Sequence, residues 1–167
     1  MDEARCRARL SAARVGHLAT VRPDERPHVV ACCFALHGDR LWTAVDAKPK
    51  ATPQLQRLAN VRAHPWASLL VDHYEEDWDA LWWVRVDGPA TVLEDGDELQ
   101  AALDALVAKY RQYTTALPHG PVIAIGAQRW RGWATPATRD CAPPTATRTT
   151  SGWWPSRRST TRRTCSG

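Results

Sequence analysis

Short apolar segments separated by turn residues are the feature that most restricts how this chain can fold. Residues 15–22 alternate apolar and polar side chains, as half-buried strands do. Residues 28–36 and 41–45 form two more apolar segments, and Gly38 lies in the turn between them, where glycine adopts a positive φ at little cost. Three such segments in succession predict an antiparallel meander.

Three further segments continue this pattern, namely residues 66–72, 81–92 and 122–127. The Asp-Gly-Pro at residues 87–89 predicts a bulge or bend within the second of them. Helical periodicity between the strands predicts helices over residues 4–13, from the Thr52-Pro53 cap through Asn60, and over residues 97–113. About six antiparallel strands with flanking helices predict an α+β protein built on a small β-barrel.

The composition changes abruptly after residue 138. Residues 139–167 contain no Leu, Ile, Val, Met or Phe and carry six arginines against one aspartate, whereas residues 1–138 carry 16 basic and 17 acidic side chains. We therefore predict one folded domain over residues 1–138 and a disordered, basic Ser/Thr/Pro/Arg-rich tail over residues 139–167. Such a composition is typical of a shifted reading frame in a GC-rich gene, which predicts a non-native tail. Nucleic-acid binding by this tail is the less favoured alternative.

Several classes of protein are disfavoured by what the sequence lacks. There is no run of roughly eighteen apolar residues and no apolar signal sequence, so we expect a cytoplasmic protein without a membrane span. The five cysteines include no C-x-x-C pair and the six histidines share no ligand spacing, so we predict reduced thiols and no metal site. Motifs of hydrolases, nucleoside triphosphatases and dinucleotide-binding folds are absent as well.

A basic segment precedes the second predicted helix. Lys48 and Lys50 come just before Thr52, the predicted cap, and Arg57 lies about one turn further along the helix. Free N–H groups at a helix N-terminus and nearby ammonium groups together bind phosphate well. We predict a phosphate-binding segment here, and the alternative is a solvated loop.

An aromatic pair in the strand of residues 81–92 suggests a ligand pocket. Trp82 and Trp83 are neighbours in a strand, so they point to opposite faces, and Arg85 shares the face of Trp83. An aromatic wall beside a cation suits a flat, anionic ring system, although packing in the core is the alternative for each tryptophan. Among the histidines, only His28 is a candidate for substrate contact, because it lies at the entry to the second strand.

The segments that carry these features are residues 15–36, 41–50, 57–65 and 68–92. Together they resemble the pyridoxamine 5′-phosphate oxidase-like superfamily of flavin and deazaflavin proteins, and in particular its actinobacterial branch of coenzyme F420-dependent enzymes. The D-x-K-P-K motif at residues 46–50 and the LWWVRVDG motif at residues 81–88 are the most specific parts of the resemblance. It covers about residues 4–134 and ends before the tail.

The resemblance implies a split β-barrel that forms a homodimer, with cofactor sites along the subunit interface. It implies that Lys48 and Lys50 hold the cofactor phosphate, with Thr52 and Arg57 alongside. It further implies that two strands lie against the cofactor ring and that a C-terminal aromatic–basic pair reaches the neighbouring subunit's site. The ring contacts would be Val29, Val30, Ala31, Thr43 and Ala44, and the pair would be Trp130 and Arg131.

These observations lead to the hypothesis of an F420-dependent oxidoreductase that transfers a hydride between the deazaflavin and a small unsaturated organic substrate. The cofactor supplies the chemistry, and the protein supplies position and electrostatics. FMN in place of F420 is one alternative, and a non-catalytic flavin- or tetrapyrrole-binding protein is another. No side chain is assigned as catalytic from the sequence.

Overall fold

The structure is a computed structural model that describes residues 1–45 and 55–136. This part of the chain contains eight β-strands, three α-helices and two short 3₁₀ turns. In chain order the elements are α1 (Glu3–Ala12), β1 (Gly16–Val21), β2 (Pro27–Cys32), β3 (Ala35–His37), β4 (Arg40–Ala44), α2 (Gln56–Ala63), β5 (Trp66–His73), a 3₁₀ turn (Trp78–Ala80), β6 (Trp82–Leu93), α3 (Asp97–Lys109), a 3₁₀ turn (Arg111–Thr114), β7 (Val122–Gly126) and β8 (Arg129–Ala134).

The twelve-residue strand β6 joins two antiparallel sheets. Its first part pairs with β5 on one side and β8 on the other, and β1 and β2 extend this larger sheet beyond β5. Its last four residues, from Ala90 to Leu93, pair with β7, beyond which β4 and β3 complete the smaller sheet. The predicted α+β split barrel is confirmed, with eight strands rather than about six.

Gly88 allows β6 to pass from one sheet to the other. The main chain of Gly126 approaches so closely that a Cβ atom on Gly88 would lie 1.7 Å from the Gly126 carbonyl oxygen. Only glycine fits such a contact between two backbones. The sequence predicted a bulge or bend at the Asp-Gly-Pro of residues 87–89. In the structure β6 continues through these residues, and they mark the place where it exchanges β5 for β7 as its partner.

The apolar segment of residues 28–36 forms two strands, β2 and β3, rather than the single strand predicted. At the break, the backbone N–H of Phe34 donates to the Tyr110 hydroxyl at 3.0 Å, and this hydroxyl lies 2.9 Å from the Phe34 carbonyl oxygen. A side chain that is remote in sequence thus satisfies the backbone groups that strand pairing leaves free. Hydropathy alone does not show such a contact.

Two helices differ from their predicted bounds. The helix predicted over residues 97–113 ends at Lys109, where Tyr110 turns extended, and a 3₁₀ turn follows. The helix predicted to begin at the Thr52-Pro53 cap begins instead at Gln56 and continues to Ala63. Its N-cap residue is Leu55, whose side chain makes no capping hydrogen bond. None of the described helices is long and apolar enough to cross a membrane.

Along each strand of the larger sheet, successive side chains alternate between an inner face and an outer face. On the inner face, neighbouring strands place Val30, Leu18, Leu69, Val86 and Trp130 in one row against the main core. Helices α1 and α2 pack on this side of the barrel. In the next row, on the outer face, the same strands place Ala31, His17, Leu70, Arg85 and Arg131 side by side.

Candidate functional site

A cleft of about 600 Å³ lies on the outer face of the larger sheet. It crosses strands β2, β1, β5 and β6, so it is built from residues that are far apart in sequence. The lining residues are His17, Val29, Leu70, Asp72, Tyr74, Trp83 and Arg85. Most of the lining is apolar or aromatic, with a few polar groups, which is the usual composition of a small-molecule site.

Trp83 and Arg85 lie on the same face of β6 and both line this cleft. The Arg85 guanidinium is held by Asp87, whose Oδ1 is 2.9 Å from Arg85 Nε. Asp87 is buried, and this ion pair orients the guanidinium beside the Trp83 wall. The Arg85 guanidinium is therefore oriented but still accessible to a ligand, because nearly half of the Arg85 side chain stays exposed.

A histidine and a carboxylate that the sequence analysis did not bring together also line the cleft. His17 of β1 and Asp72 of β5 face each other, with 3.6 Å between Nδ1 and Oδ1. The sequence analysis assigned neither residue to a site, since it found no ligand spacing among the histidines and considered only His28 for substrate contact. The strand register of β1 against β5 would have revealed the pair, but a single sequence does not fix that register.

On the inner face, His28 ends a chain of hydrogen bonds whose central link, between Asn60 and Thr20, is buried. The Gln56 amide donates to Asn60 Oδ1 at 2.8 Å, and the Asn60 amide donates to Thr20 Oγ1 at 2.9 Å. Thr20 Oγ1 lies 3.4 Å from His28 Nδ1. Because Thr20 accepts from Asn60, its own proton is free to point at His28 Nδ1, which leaves Nε2 of a neutral His28 as the donor.

Cations surround His28 and favour its neutral form. Burial lowers the pKa of His28, and the guanidinium groups of Arg22 and Arg57 lower it further. Arg22 in turn donates to the Gln56 side chain at 3.4 Å. A neutral imidazole near two guanidinium groups is suited to an anionic ligand, since all three groups can donate hydrogen bonds.

Cys32 and Thr43 lie deeper, where β2 and β4 meet in the main core. Burial raises the pKa of the Cys32 thiol, while the Thr43 hydroxyl beside it and the charge of Arg57 act in the opposite direction. The Thr43 hydroxyl is fully buried and has no other partner among the described residues. Thr43 therefore faces the barrel interior near Cys32, rather than the outer cleft.

The remaining ring contacts implied by the resemblance are divided between the two faces. Val29 and Ala31 face outward, and Val29 lines the cleft. Val30 points inward and packs against the main core. Ala44 belongs to the smaller core, under α3.

Trp130 and Arg131 do not act as a pair on one face, because neighbours in a strand point in opposite directions. The Trp130 ring packs against the main core under Arg7, with 4.5 Å between the guanidinium carbon and the ring centroid. Arg131 is exposed on the outer face, directly across from Arg85 in the strand register. Only Arg131 of the two is placed near the cleft.

Lys48, Lys50 and Thr52 lie outside the described residues, as does the tail of residues 139–167. Among the residues that are described, no group of three or more His, Cys, Asp or Glu side chains could hold a metal ion. The described chemistry is therefore that of a cleft with one aromatic wall, one oriented guanidinium and a His–Asp pair, together with a cationic group around His28.

Comparison with known sequences gives one family. Residues 2–134 match the family of pyridoxamine 5′-phosphate oxidase. A search of curated protein sequences found no match.

Solved structures share the fold at low sequence identity. A conserved hypothetical protein from Mycobacterium tuberculosis aligns with a TM-score of 0.67 at 24% identity, covering 90% of this chain and 94% of the other. An FAD-binding protein from Mesorhizobium loti aligns with a TM-score of 0.61 at 24% identity, covering 79% and 94%. A heme-binding protein from Mycobacterium smegmatis aligns with a TM-score of 0.62 at 23% identity, covering 77% and 52%.

Proposed function

Because the chain belongs to the pyridoxamine 5′-phosphate oxidase family, we propose that it is an oxidoreductase that holds a flavin-type cofactor against the outer cleft. Coenzyme F420 is the cofactor we favour, and FMN is the alternative. The reaction is transfer of a hydride between this cofactor and a small unsaturated organic substrate. When bound, the cofactor supplies the redox chemistry, and the protein binds and orients it.

The observation that carries this proposal is the pairing of Trp83 with Arg85 in the cleft. The face of an indole ring stacks on a flat ring system, and a guanidinium held by Asp87 meets negative charge at the ring edge. Val29 and Leu70 complete an apolar floor. This donor set fits an anionic isoalloxazine or deazaflavin, since the polar groups are few and Arg85 is the cation among them.

The cationic group around His28 supports the choice of a phosphate-bearing cofactor. Arg22 and Arg57 lie close enough to His28 to lower its pKa, and His28 belongs to β2, the edge strand of the larger sheet. A cofactor tail that extends from the outer cleft would reach these cations by passing around this edge. A polyanionic tail would gain from both guanidinium groups, and F420 carries a longer one than FMN. Lys48 and Lys50 complete the predicted phosphate-binding segment.

Reduction of an unsaturated substrate by a hydride also requires a proton, and His17 in the cleft is placed to donate it. Its imidazole lies on the cleft wall and is oriented by Asp72. Histidine exchanges protons near neutral pH more readily than any other side chain. We propose that His17, rather than His28, holds the proton for the substrate, because His28 faces the other side of the sheet.

A homodimer is part of the proposal. The outer face exposes large apolar side chains that a single chain leaves uncovered, including Val21 at 41%, Val29 at 60% and Trp133 at 42%. Exposed apolar side chains grouped on one face are typical of an interface. A second copy seated on this face would enclose the cleft and bring Arg131 close to a cofactor.

Titration of the purified protein with F420 and, separately, with FMN tests the cofactor assignment. Arg85→Gln should weaken binding of the correct cofactor about tenfold, the effect of one lost charge-assisted hydrogen bond. Arg129→Gln is the matched control, because Arg129 lies on the same face of β8 but not in the cleft. Equal affinity in the wild type and Arg85→Gln would remove the cleft from the cofactor site.

A second candidate is non-catalytic tetrapyrrole binding, and His17 is the observation that favours it. An imidazole on the wall of an aromatic cleft can ligate haem iron. Hemin titration separates the two functions. A sharp Soret band that is lost in His17→Ala but kept in His28→Ala would support haem binding. Turnover with reduced F420 or reduced FMN would support the oxidoreductase.

A further inference from the structure

A second cavity lies behind helix α1, at the end of β6 and β8. Its volume is about 340 Å³, and it shares no lining residue with the cleft of the outer face. Arg5 and Arg9 approach it from α1, Leu81 and Ala134 contribute apolar walls, and Asp79 is the one acidic side chain of the lining. Arg5 and Arg9 are four residues apart, so they share one face of the helix.

Arg9 is held in place but lacks an acceptor for part of its guanidinium. Its guanidinium carbon lies 4.7 Å from the centroid of the Trp82 ring, so the side chain is fixed by a cation–π contact. Arg9 Nη1 is inaccessible to solvent and has no hydrogen-bond partner among the described residues. The Arg9 side chain lines the cavity, and none of its guanidinium nitrogens makes a hydrogen bond within the described residues. Its other two donors, Nε and Nη2, are therefore open to an oxyanion in the cavity.

The neighbouring arginine on the same helix shows that this arrangement is specific to Arg9. Arg7 also lies over an indole ring, that of Trp130, but its guanidinium donates to Glu3, to Asp39 and to the Gly38 carbonyl oxygen. Its donors are therefore satisfied within the protein. The side chains that line the cavity carry two guanidinium groups, of Arg5 and Arg9, against the one carboxylate of Asp79, and within residues 1–45 and 55–136 no ion pair joins that carboxylate to either arginine.

We propose that this cavity is a binding site for a small molecule that carries a carboxylate or phosphate group. Arg9 is the principal ligand of the anion, because the Nε and Nη2 edge of its guanidinium is a planar fork that matches two oxygens of either group. Arg5 adds a second cation from the same face of α1, and Leu81 and Ala134 contact the apolar part of the molecule. The volume admits a small metabolite but not a flavin.

Isothermal titration of the full chain with acetate and with inorganic phosphate, at low ionic strength, tests the site. We expect saturable binding of one anion, weakened at least tenfold by Arg9→Gln and less by Arg9→Lys, which keeps the charge but loses the fork. The anion that binds more tightly identifies the headgroup chemistry.

Two further variants separate this site from general attraction of anions. Arg7→Gln removes the same charge from the same helix and should leave the affinity within twofold. Ala134→Leu keeps every charge but fills the cavity, and it should abolish binding while circular dichroism reports an intact fold. Absence of saturable binding in the wild type, or equal losses in Arg7→Gln and Arg9→Gln, would overturn the proposal. Arg85→Gln should leave the anion affinity of this cavity unchanged, because Arg85 lines only the outer cleft. The anion site and the cofactor site can therefore be tested separately.

Discussion

The two faces of the larger sheet are built from the same strands, but the inner face packs in the main core and the outer face lines the cleft. In β5, Leu69 is fully buried in the main core, whereas the next residue, Leu70, is partly exposed and lines the outer cleft. The inner row around Leu69 is apolar throughout, and the outer row around Leu70 contains His17, Arg85 and Arg131. A barrel needs only one apolar face per strand for stability, which leaves the other face free to bind ligands or a partner.

The two histidines on neighbouring strands show the same contrast. His17 faces outward beside the Asp72 carboxylate, and His28 faces inward between two guanidinium groups. One position is thus arranged to carry a proton at an open cleft, and the other to remain neutral within a hydrogen-bonded chain. Substitutions on the two faces should therefore have separable effects.

The largest effect is expected where the two sheets meet. Gly88→Ala places a methyl group against the Gly126 main chain, which must shift, so we expect a loss of about 4 kcal/mol in the free energy of unfolding or failure to fold. Urea denaturation measures the change. In Gly126→Ala the new methyl group meets nothing closer than 3.5 Å, so this control should stay within about 1 kcal/mol of the wild type.

The consecutive leucines of β5 test the two faces directly. Leu69→Ala leaves a cavity in the main core and should lower the free energy of unfolding by about 3 kcal/mol, whereas Leu70→Ala should cost about 1 kcal/mol or less. The affinity for the cofactor should show the reverse order, with the larger loss in Leu70→Ala. Equal destabilisation by the two substitutions would mean that the outer face is as firmly packed as the inner one.

Substitutions of His17 and of His28 should show which of the two histidines is needed for catalysis. His17→Gln should lower kcat about a hundredfold at neutral pH, because a general acid is lost. His28→Gln should change kcat much less. The measurement is a steady-state rate with the reduced cofactor that binds, and a larger loss of kcat in His28→Gln would assign the proton to the inner face.

The smallest effect is a pH dependence of stability that belongs to His28. Its folded-state pKa is lowered by burial and by Arg22 and Arg57, so below its ordinary pKa of about 6.5 the unfolded chain takes up a proton more readily than the folded one. Stability should therefore fall as the pH decreases from about 7 to 5. This slope should be shallower in His28→Gln, and identical slopes in urea titrations of the two proteins would contradict the assigned environment.

Much of the fold and part of the cleft were predictable from the sequence. The alternation of residues 15–22 and 66–72 located β1 and β5, and the spacing of Trp83 and Arg85 placed both on one face of β6. These features depend on periods of two or on neighbouring residues, and local geometry alone determines them. Strand β8 was not predicted from periodicity, because its Arg-Trp-Arg-Gly-Trp-Ala sequence lacks the usual aliphatic side chains.

The rest was decided by contacts between residues that are distant in sequence. Tyr110 supports the break between β2 and β3, Gly126 makes Gly88 obligatory, and the register of β1 against β5 brings His17 to Asp72. The sequence by itself determined where most of the strands lie and which of their sides is apolar, because these are properties of short segments. Only the tertiary structure decided which strands are neighbours and in what register, and a cleft that crosses four strands exists only once those pairings are made.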